Sequence, residues 1–323
     1  MNLINRSLAL FSLLSVFTLV HPGLYAQDIN KTLSFGGRER NYILHLPPGW
    51  QINRSYPVLF AFHGGGGTAR QSARFYHLDE LADQHGFIVV YPDAINKAWN
   101  IPGLTSRAPH LDTTVDDRGF ISLLMDTLVA SYAADPHQFF LTGISRGGMF
   151  SFYLASALNE RVAGIAPVCA GISRTLALTY HFNKPVPVLM INGTGDPLIR
   201  YEGGYGSFNQ KNLGNEDADL LPAEELLELI AKQNHCSGEP QSRAIPNTVR
   251  YDGCTALAYS YPCEGAHLQF IKVINGGHTW PGGSQYLPKA IVGKVCRDFK
   301  AEEKIFSFFL GLSGKETVAI LPK

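Results

Sequence analysis

A serine stands between two glycines in the sequence Gly143-Ile-Ser145-Arg-Gly147. An apolar run over residues 138–142 precedes it, and a helix-like stretch over residues 149–155 follows it. This G-x-S-x-G spacing is typical of a sharp strand-to-helix turn that exposes the serine Oγ above a sheet. We predict that Ser145 is a nucleophile for acyl transfer, with an ordinary Gly/Ser turn as the alternative.

A serine nucleophile needs a histidine to take its proton and a carboxylate to orient that histidine. The predicted base is His278, in the loop N-G-G-H-T-W-P-G-G after the last apolar run; a surface-loop histidine is the alternative. The predicted acid is Asp196, just past the run over residues 187–191. The order serine, aspartate, histidine is that of α/β-hydrolases. Three further carboxylates follow strands or open helices, and the last two are interpreted as helix caps: Asp93, Asp116 and Asp117.

An acyl-transfer intermediate carries an oxyanion that needs preorganised hydrogen-bond donors. The segment His63-Gly-Gly65-Gly-Gly directly follows an apolar run and offers backbone N–H groups without side chains in the way. We assign one donor to the Gly65 N–H and the other to the N–H of Arg146, which follows the nucleophile. A flexible glycine loop is the alternative. A phosphate loop is excluded because no G-K-[ST] follows.

The elements that must position these residues are short and apolar throughout. Six runs have the length of buried strands and alternate with stretches of helical spacing: 57–62, 87–91, 138–142, 162–168, 187–191 and 268–274. This pattern predicts an α/β fold with a mostly parallel central sheet and helices on both faces. Residues 41–46 are predicted to form an antiparallel edge strand. Loops over 96–119, 201–222 and 237–250 are predicted lids or specificity walls.

The 323 residues are 45% apolar and 17% charged, which is enough to bury a large core. Lys+Arg and Asp+Glu are both 27, so nothing favours nucleic acid as a partner. Residues 1–26 have the order of a secretory signal peptide cleaved near Ala26, with a buried N-terminal helix as the alternative. Their apolar run is too short to span a membrane. We expect a secreted or periplasmic protein with a single catalytic domain over 27–323.

Cysteines indicate an oxidising compartment. Four of five cluster in the last third of the chain, where up to two disulfides and three pairings are open: Cys236, Cys254, Cys263 and Cys296. Cys169 lies in an apolar stretch and is predicted to be a buried free thiol. Neither C-x-x-C nor H-x-x-x-H occurs, so the sequence predicts no metal site and no cofactor.

Taken together, the motifs resemble those of secreted polyhydroxybutyrate depolymerase-like and feruloyl-type esterases, the carbohydrate esterase family 1-like branch of the α/β-hydrolase fold. The resemblance covers about residues 30–312. Its motifs are L-x-P-P-G near the start, H-G-G-G from His63, V-D-D-x-G-F ending at Phe120, G-x-S-x-G-G-M around Ser145, G-T-x-D ending at Asp196 and G-G-H-T-W-P-G around His278.

The resemblance implies a triad of Ser145, Asp196 and His278, with Trp280 as a wall of the substrate groove. It also implies a Cys236–Cys263 disulfide, which leaves Cys254 with Cys296. Four aromatic side chains are candidates for stacking on an acyl group or sugar, with packing as the alternative: Trp99, Trp280, Tyr201 and Tyr205. Many relatives carry a small residue in place of Arg146. We hypothesise that its guanidinium aids the oxyanion or binds a substrate carboxylate, the alternative being an arginine packed against a neighbouring acid.

These observations predict a secreted serine esterase that acts through an acyl-enzyme. Feruloyl or acyl esters of plant polysaccharide are favoured over polyhydroxybutyrate, because no appended polymer-binding domain is visible. Two other hypotheses are a catalytically silent scaffold that binds polysaccharide or a partner, and a serine peptidase in which Glu202 or Asp217 would recognise an amine. The sequence makes no prediction of oligomeric state.

Overall fold

The computed structural model describes residues 26–104, 111–204 and 220–312. Ten strands in this part of the chain form one sheet: β1 (Gln27–Phe35), β2 (Arg38–Leu46), β3 (Tyr56–Phe62), β4 (Ile88–Pro92), β5 (Ala134–Ile144), β6 (Val162–Val168), β7 (Val188–Gly193), β8 (Gln241–Ile245), β9 (Thr255–Tyr261) and β10 (Leu268–Ile274). The helices are α1 (Ala69–Tyr76), α2 (Asp79–His85), α3 (Asp117–Tyr132), α4 (Arg146–Ala157), α5 (Arg174–Ala177), α6 (Ala223–Gln233), α7 (Lys289–Val292) and α8 (Ala301–Leu312).

The strand order is β1-β2-β4-β3-β5-β6-β7-β10-β9-β8, and the six strands from β4 to β10 in this order pair in parallel. The packing of strand β3 on both of its faces explains why its sequence is apolar throughout. Val58 and Phe60 face one core, with Phe150 of α4, whereas Leu59 faces a second core, with Phe306 of α8. Both faces of the sheet are therefore covered, and the predicted α/β fold is confirmed.

The sheet is wider than predicted. Strand β2 pairs antiparallel with β4 as expected, but β1 lies outside it, so β2 is not the edge. Strand β8 lies within the predicted loop 237–250, and β9 was not predicted either. Strands β1 and β8 are largely exposed and carry mostly polar residues. Continuous apolar runs, which were used to find strands, are therefore missing where a strand is exposed to solvent on at least one face.

The buried His45 of β2 joins the β1 edge of the sheet to α2. His45 Nδ1 lies 2.6 Å from Asp28 Oδ1, and Nε2 lies 2.8 Å from Asp83 Oδ1. A carboxylate only accepts hydrogen bonds, so both ring nitrogens carry protons in this arrangement. Burial alone would lower the pKa of His45, but the carboxylates of Asp79, Asp28 and Asp83 outweigh it and raise that pKa above the ordinary value.

The implied disulfide between Cys236 and Cys263 is present and joins the segment after α6 to the β9–β10 connection. The second predicted pair is not formed. Cys254 and Cys296 are buried free thiols, and the neighbouring Cys296 thiol lowers the pKa of Cys254. Cys169 is a buried free thiol, as predicted.

The predicted signal peptide, apart from Ala26, lies outside the described residues, and so do parts of the predicted lid loops, 105–110 and 205–219. Within the described ranges, the helices are too short or too polar to cross a membrane.

Candidate active site

Ser145 occupies the turn between β5 and α4, half-buried, with φ 57° and ψ −127°. A non-glycine residue rarely adopts this strained backbone. The flanking glycines are required because both approach the end of β3. A Cβ atom on Gly143 would lie 2.5 Å from the Phe62 carbonyl oxygen, and one on Gly147 only 2.1 Å from it. The G-x-S-x-G spacing is therefore required because both glycines pack closely against the carbonyl oxygen of Phe62.

Neighbouring parallel strands bring the predicted acid and base together. Asp196 follows β7 and His278 follows β10, and both side chains are buried. His278 Nδ1 lies 2.7 Å from Asp196 Oδ2. The other oxygen, Oδ1, accepts hydrogen bonds of 2.8 Å from the N–H groups of Leu198 and Ile199. These two donors hold the carboxylate in one orientation, in which Nδ1 carries a proton.

The thiol of Cys169 lies beside this pair, at the end of β6. Its Sγ is 3.3 Å from the carbonyl oxygen of Thr279 and 3.6 Å from that of Gly277, the two neighbours of His278. Burial raises the pKa of Cys169 well above its ordinary value, and the charge of Asp196 adds to this. The thiol is therefore a protonated donor that steadies the histidine loop, and it lacks the thiolate character of a nucleophile or metal ligand.

The other candidate acids have structural partners. Asp93 accepts a hydrogen bond of 2.6 Å from the N-terminus of α1, and Asp116 caps α3 as predicted. Asp117 is not the cap. It forms a buried ion pair of 2.5 Å with Arg40 and accepts a hydrogen bond from the Asn100 N–H.

The glycine loop after β3 rests on a neutral histidine. His63 Nδ1 lies 2.8 Å from the Gly64 carbonyl oxygen, and Nε2 accepts the Ala94 N–H at 3.1 Å. Burial lowers the pKa of His63, in agreement with this uncharged form. A Cβ atom on Gly65 would lie 3.8 Å from the Cβ of Arg146, so the two predicted donor residues are adjacent. Among the described residues, the Gly65 N–H has no hydrogen-bond acceptor.

The Arg146 side chain is buried and points along a neighbouring loop. Its Nε donates to the carbonyl oxygen of Trp99 at 2.8 Å, and Nη2 donates to that of Leu104 at 3.2 Å. The guanidinium therefore holds this loop against the nucleophile turn. Both of these acceptors are backbone oxygens, and the two alternatives for the guanidinium, a substrate contact and packing against a neighbouring acid, stay predictions.

The predicted substrate contacts of Trp99 and Trp280 are wrong, because neither ring is exposed at all. Trp99 stacks on Phe150 at 4.7 Å. Trp280 stacks on Tyr76 at 4.4 Å, and its Nε1 donates to Glu302 at 2.9 Å. Trp280 directly precedes Pro281, and Trp99 lies three residues before Pro102-Gly103, so in sequence both look like exposed loop positions. In the fold, these loops are packed against the core.

The tyrosine candidates differ as well. Tyr201 is buried, with its hydroxyl bonded to Glu224, and Tyr205 lies outside the described residues. Glu202 is described and exposed, whereas Asp217 also lies outside.

An aromatic residue beside the histidine was missed. Tyr286 is 42% exposed, and its hydroxyl donates to the carbonyl oxygen of His278 at 3.1 Å. Its ring packs edge-on against Phe75 of α1, and Leu287 next to it is also 42% exposed. No motif surrounds Tyr286, and its proximity to His278 arises only because the loop turns back after Pro281.

A mostly parallel sheet with a strained serine turn, a glycine loop and a buried Asp–His pair at its carboxyl edge defines an α/β-hydrolase. The sequence profile of a family described as "Putative esterase" matches residues 34–175. The chain is 29% identical over 280 residues to "Putative esterase NocK" of Nocardia uniformis subsp. tsuyamanensis. The aligned region covers 85% of this chain and 80% of that protein. It is 26% identical over 269 residues to "Probable feruloyl esterase C" of Aspergillus terreus, covering 78% and 85% respectively.

Among solved structures, an acetyl xylan esterase from Aspergillus awamori has the same fold, with a TM-score of 0.53 and 16% identity over 79% of this chain and 94% of that one. The resemblance seen in the motifs is thereby confirmed. The chain is a carboxylic ester hydrolase related to the feruloyl esterases.

Proposed function

We propose that this chain is a secreted serine esterase in which Ser145, Asp196 and His278 form the catalytic triad, acting on feruloyl or related acyl esters of plant polysaccharide. The hydrogen bond of 2.7 Å between His278 Nδ1 and Asp196 Oδ2 carries the proposal. It leaves Nε2 of the ring as the nitrogen able to take a proton.

In the first half-reaction, His278 Nε2 removes the proton from Ser145 Oγ, which forms a bond to the ester carbonyl carbon. The negative charge on the carbonyl oxygen is stabilised by the N–H groups of Gly65 and Arg146. The carbon–oxygen bond to the alcohol then breaks. His278 gives its proton to the departing alcohol, and the acyl group stays on Ser145.

In the second half-reaction, water takes the place of the alcohol. His278 removes a proton from water, the resulting hydroxide attacks the acyl carbon, and the acid is released as Ser145 regains its proton. Asp196 remains ionised and stabilises the imidazolium during both steps.

Two observations support an aromatic acyl ester as substrate. Several relatives are named feruloyl esterases, and another is a bifunctional acetylxylan esterase/xylanase from Neocallimastix patriciarum, of which this chain spans 29% of the length. Tyr286 and Leu287 also offer half-exposed apolar surface beside His278, to which an aromatic ring can bind.

Export is supported by the N-terminal apolar segment and by the Cys236–Cys263 disulfide, which persists in an oxidising compartment. Expression of the full chain in a bacterial host, followed by N-terminal sequencing of the exported protein, tests this part. We expect the mature chain to begin near residue 27. Retention of residues 1–26 contradicts it.

The catalytic proposal is tested with the parent, Ser145→Ala and a control, Ser156→Ala, which changes a serine whose hydroxyl bonds the His181 carbonyl on the surface. Each protein is assayed on p-nitrophenyl acetate, methyl ferulate, acetylated xylan and a polyhydroxybutyrate film. We expect Ser145→Ala to lose roughly four to six orders of magnitude in kcat and Ser156→Ala to retain parent activity.

Comparison of the four substrates distinguishes the proposed substrate class from its alternatives. Preference for methyl ferulate supports the proposed substrate, whereas preference for acetylated xylan or for the polyester film replaces it. A folded parent that hydrolyses none of the four and does not react with a fluorophosphonate overturns the catalytic proposal and favours a silent binding scaffold.

A further inference from the structure

We infer that Tyr76 is a positioning residue that holds the glycine loop, the nucleophile turn and the histidine loop in register. This inference rests on the proposed serine mechanism. It concerns a residue on α1 that has no place among the motifs and whose side chain is 1% exposed. Three contacts, each to a segment from a different strand, carry it.

The hydroxyl of Tyr76 joins two strand ends. It donates a hydrogen bond of 2.8 Å to the carbonyl oxygen of Phe62, the last residue of β3 before the glycine loop. It accepts a hydrogen bond of 3.3 Å from the N–H of Ile144, the last residue of β5 before Ser145. Burial raises the pKa of Tyr76 to about 12, so the phenol keeps its proton at the pH of any esterase assay.

The ring of Tyr76 reaches the third segment. It stacks on Trp280 with 4.4 Å between the ring centroids and 21° between the planes. Trp280 lies two residues after His278, and its indole N–H donates to Glu302 of α8 at 2.9 Å. The stack therefore ties the loop carrying the base to the residue that already joins the other two segments.

These contacts matter because the oxyanion donors, the nucleophile and the base come from three strands. The sheet fixes the strand ends, but Gly65, Ser145 and His278 all lie in turns beyond them. A shift of about 1 Å between reacting groups is enough to lower a rate by roughly 100-fold. One side chain that bonds the residues from which two of these turns start, and that stacks on the loop carrying the third, limits such shifts.

The test variant is Tyr76→Phe, which removes the hydroxyl and keeps the ring that stacks on Trp280. The matched control is Tyr91→Phe. Tyr91 is also fully buried in the core, but its hydroxyl donates to Asp79 at 2.6 Å, away from the three turns. Tyr76→Phe loses a buried hydroxyl with two hydrogen bonds and Tyr91→Phe a buried hydroxyl with one, so a loss of stability affects both variants.

We expect Tyr76→Phe to lower kcat on p-nitrophenyl acetate by about 10- to 100-fold with KM changed less than about twofold. The rate constant for fluorophosphonate labelling of Ser145 should fall by the same factor, and Tyr91→Phe should retain parent values. Rates are divided by the number of sites that the fluorophosphonate titrates at completion, so unfolded protein does not count.

A second variant tests the hydrogen bond that anchors Trp280 on α8 and so holds its ring against Tyr76, and it serves if Tyr76→Phe does not fold. Trp280→Phe keeps an aromatic ring against Tyr76 but removes the N–H that Glu302 accepts, and we expect a smaller fall in kcat, about 3- to 10-fold. Parent values of kcat and labelling rate in Tyr76→Phe, or equal losses in Tyr91→Phe, overturn the inference. Where Tyr76→Phe does not fold, parent values in Trp280→Phe overturn it. If the parent itself is not labelled and Ser145→Ala hydrolyses at the parent rate, the proposed function has failed instead.

Discussion

Replacing Asp196 by asparagine should reverse the direction of the hydrogen bond at His278 Nδ1 while leaving the imidazole ring nearly in place. The N–H groups of Leu198 and Ile199 both point at Oδ1, so that position must remain an oxygen. The asparagine amide nitrogen is therefore forced into the position of Oδ2, 2.7 Å from His278 Nδ1. An amide NH₂ donates, so Nδ1 becomes an acceptor and the proton moves to Nε2.

A histidine that carries its proton on Nε2 cannot take another from Ser145. In serine hydrolases the corresponding change costs about 10⁴-fold in kcat, which corresponds to about 5 kcal/mol of transition-state stabilisation. Folding should be affected much less, because every hydrogen bond of the carboxylate keeps a partner in the amide. We therefore expect Asp196→Asn to show a loss of about 10⁴-fold in kcat on p-nitrophenyl acetate with little change in KM.

The matched control is Asp252→Asn. Asp252 is also buried, and its two oxygens accept hydrogen bonds of 2.7 Å from the N–H groups of Cys254 and Arg297. Here the amide nitrogen must face a donor in either orientation, which costs about 1–3 kcal/mol of stability. Asp196→Asn should therefore lose activity and keep most of its stability, whereas Asp252→Asn should lose stability and keep its activity. An Asp196→Asn enzyme with more than about a tenth of the parent kcat refutes the tautomer argument.

Three further predictions concern stability, each measured by urea or thermal unfolding. The pKa of His45 is raised in the folded state, so the contribution of His45 to folding stability is full below the ordinary pKa of about 6.5 and is lost as pH rises through the raised value; His45→Gln should remove this loss, and a parent profile without it contradicts the charged His45 between Asp28 and Asp83. Gly147→Ala forces a Cβ against a backbone oxygen at 2.1 Å and should cost about 3 kcal/mol, whereas Gly171→Ala, whose Cβ would have 3.9 Å of space, should cost less than about 1 kcal/mol. Replacing Cys236 and Cys263 by serine opens a loop with a sequence separation of 27 and should cost about 3–4 kcal/mol; an unchanged urea midpoint excludes a stabilising role.

The central sheet could be predicted from the sequence because its strands face apolar cores on both sides. The run 162–168 agrees with β6, which contains no polar residue. The run 268–274 agrees with β10, in which five apolar residues outweigh the half-buried Gln269 and Lys272. The outer strands β1 and β8 were missed for the opposite reason. Neither contains a continuous apolar run: in β1 the core-packed Ile29, Leu33 and Phe35 alternate with exposed polar residues, and β8 is exposed along most of its length.

The chemistry-bearing residues were easier to find than their supports. Ser145 could be identified from local spacing, because the geometry of its turn requires the two flanking glycines. Trp280 shows the limit of such reasoning, since its neighbours predict an exposed loop and only the fold reveals the ring of Tyr76 beneath it. Tyr76 and Cys169 act through distant partners, and no local pattern records such contacts.

The burial of two tryptophans at the site gives the protein a built-in optical probe. The chain has three tryptophans, and Trp99 and Trp280 are fully buried beside the glycine loop and the histidine loop, whereas Trp50 is only partly buried, near Tyr132 of α3. Emission from the indoles therefore reports mainly on the catalytic loops, while circular dichroism in the far ultraviolet averages over the whole sheet and its helices. If the emission maximum moves to longer wavelength at a lower temperature than the ellipticity changes, the loops melt before the scaffold, and the enzyme loses its function while still folded.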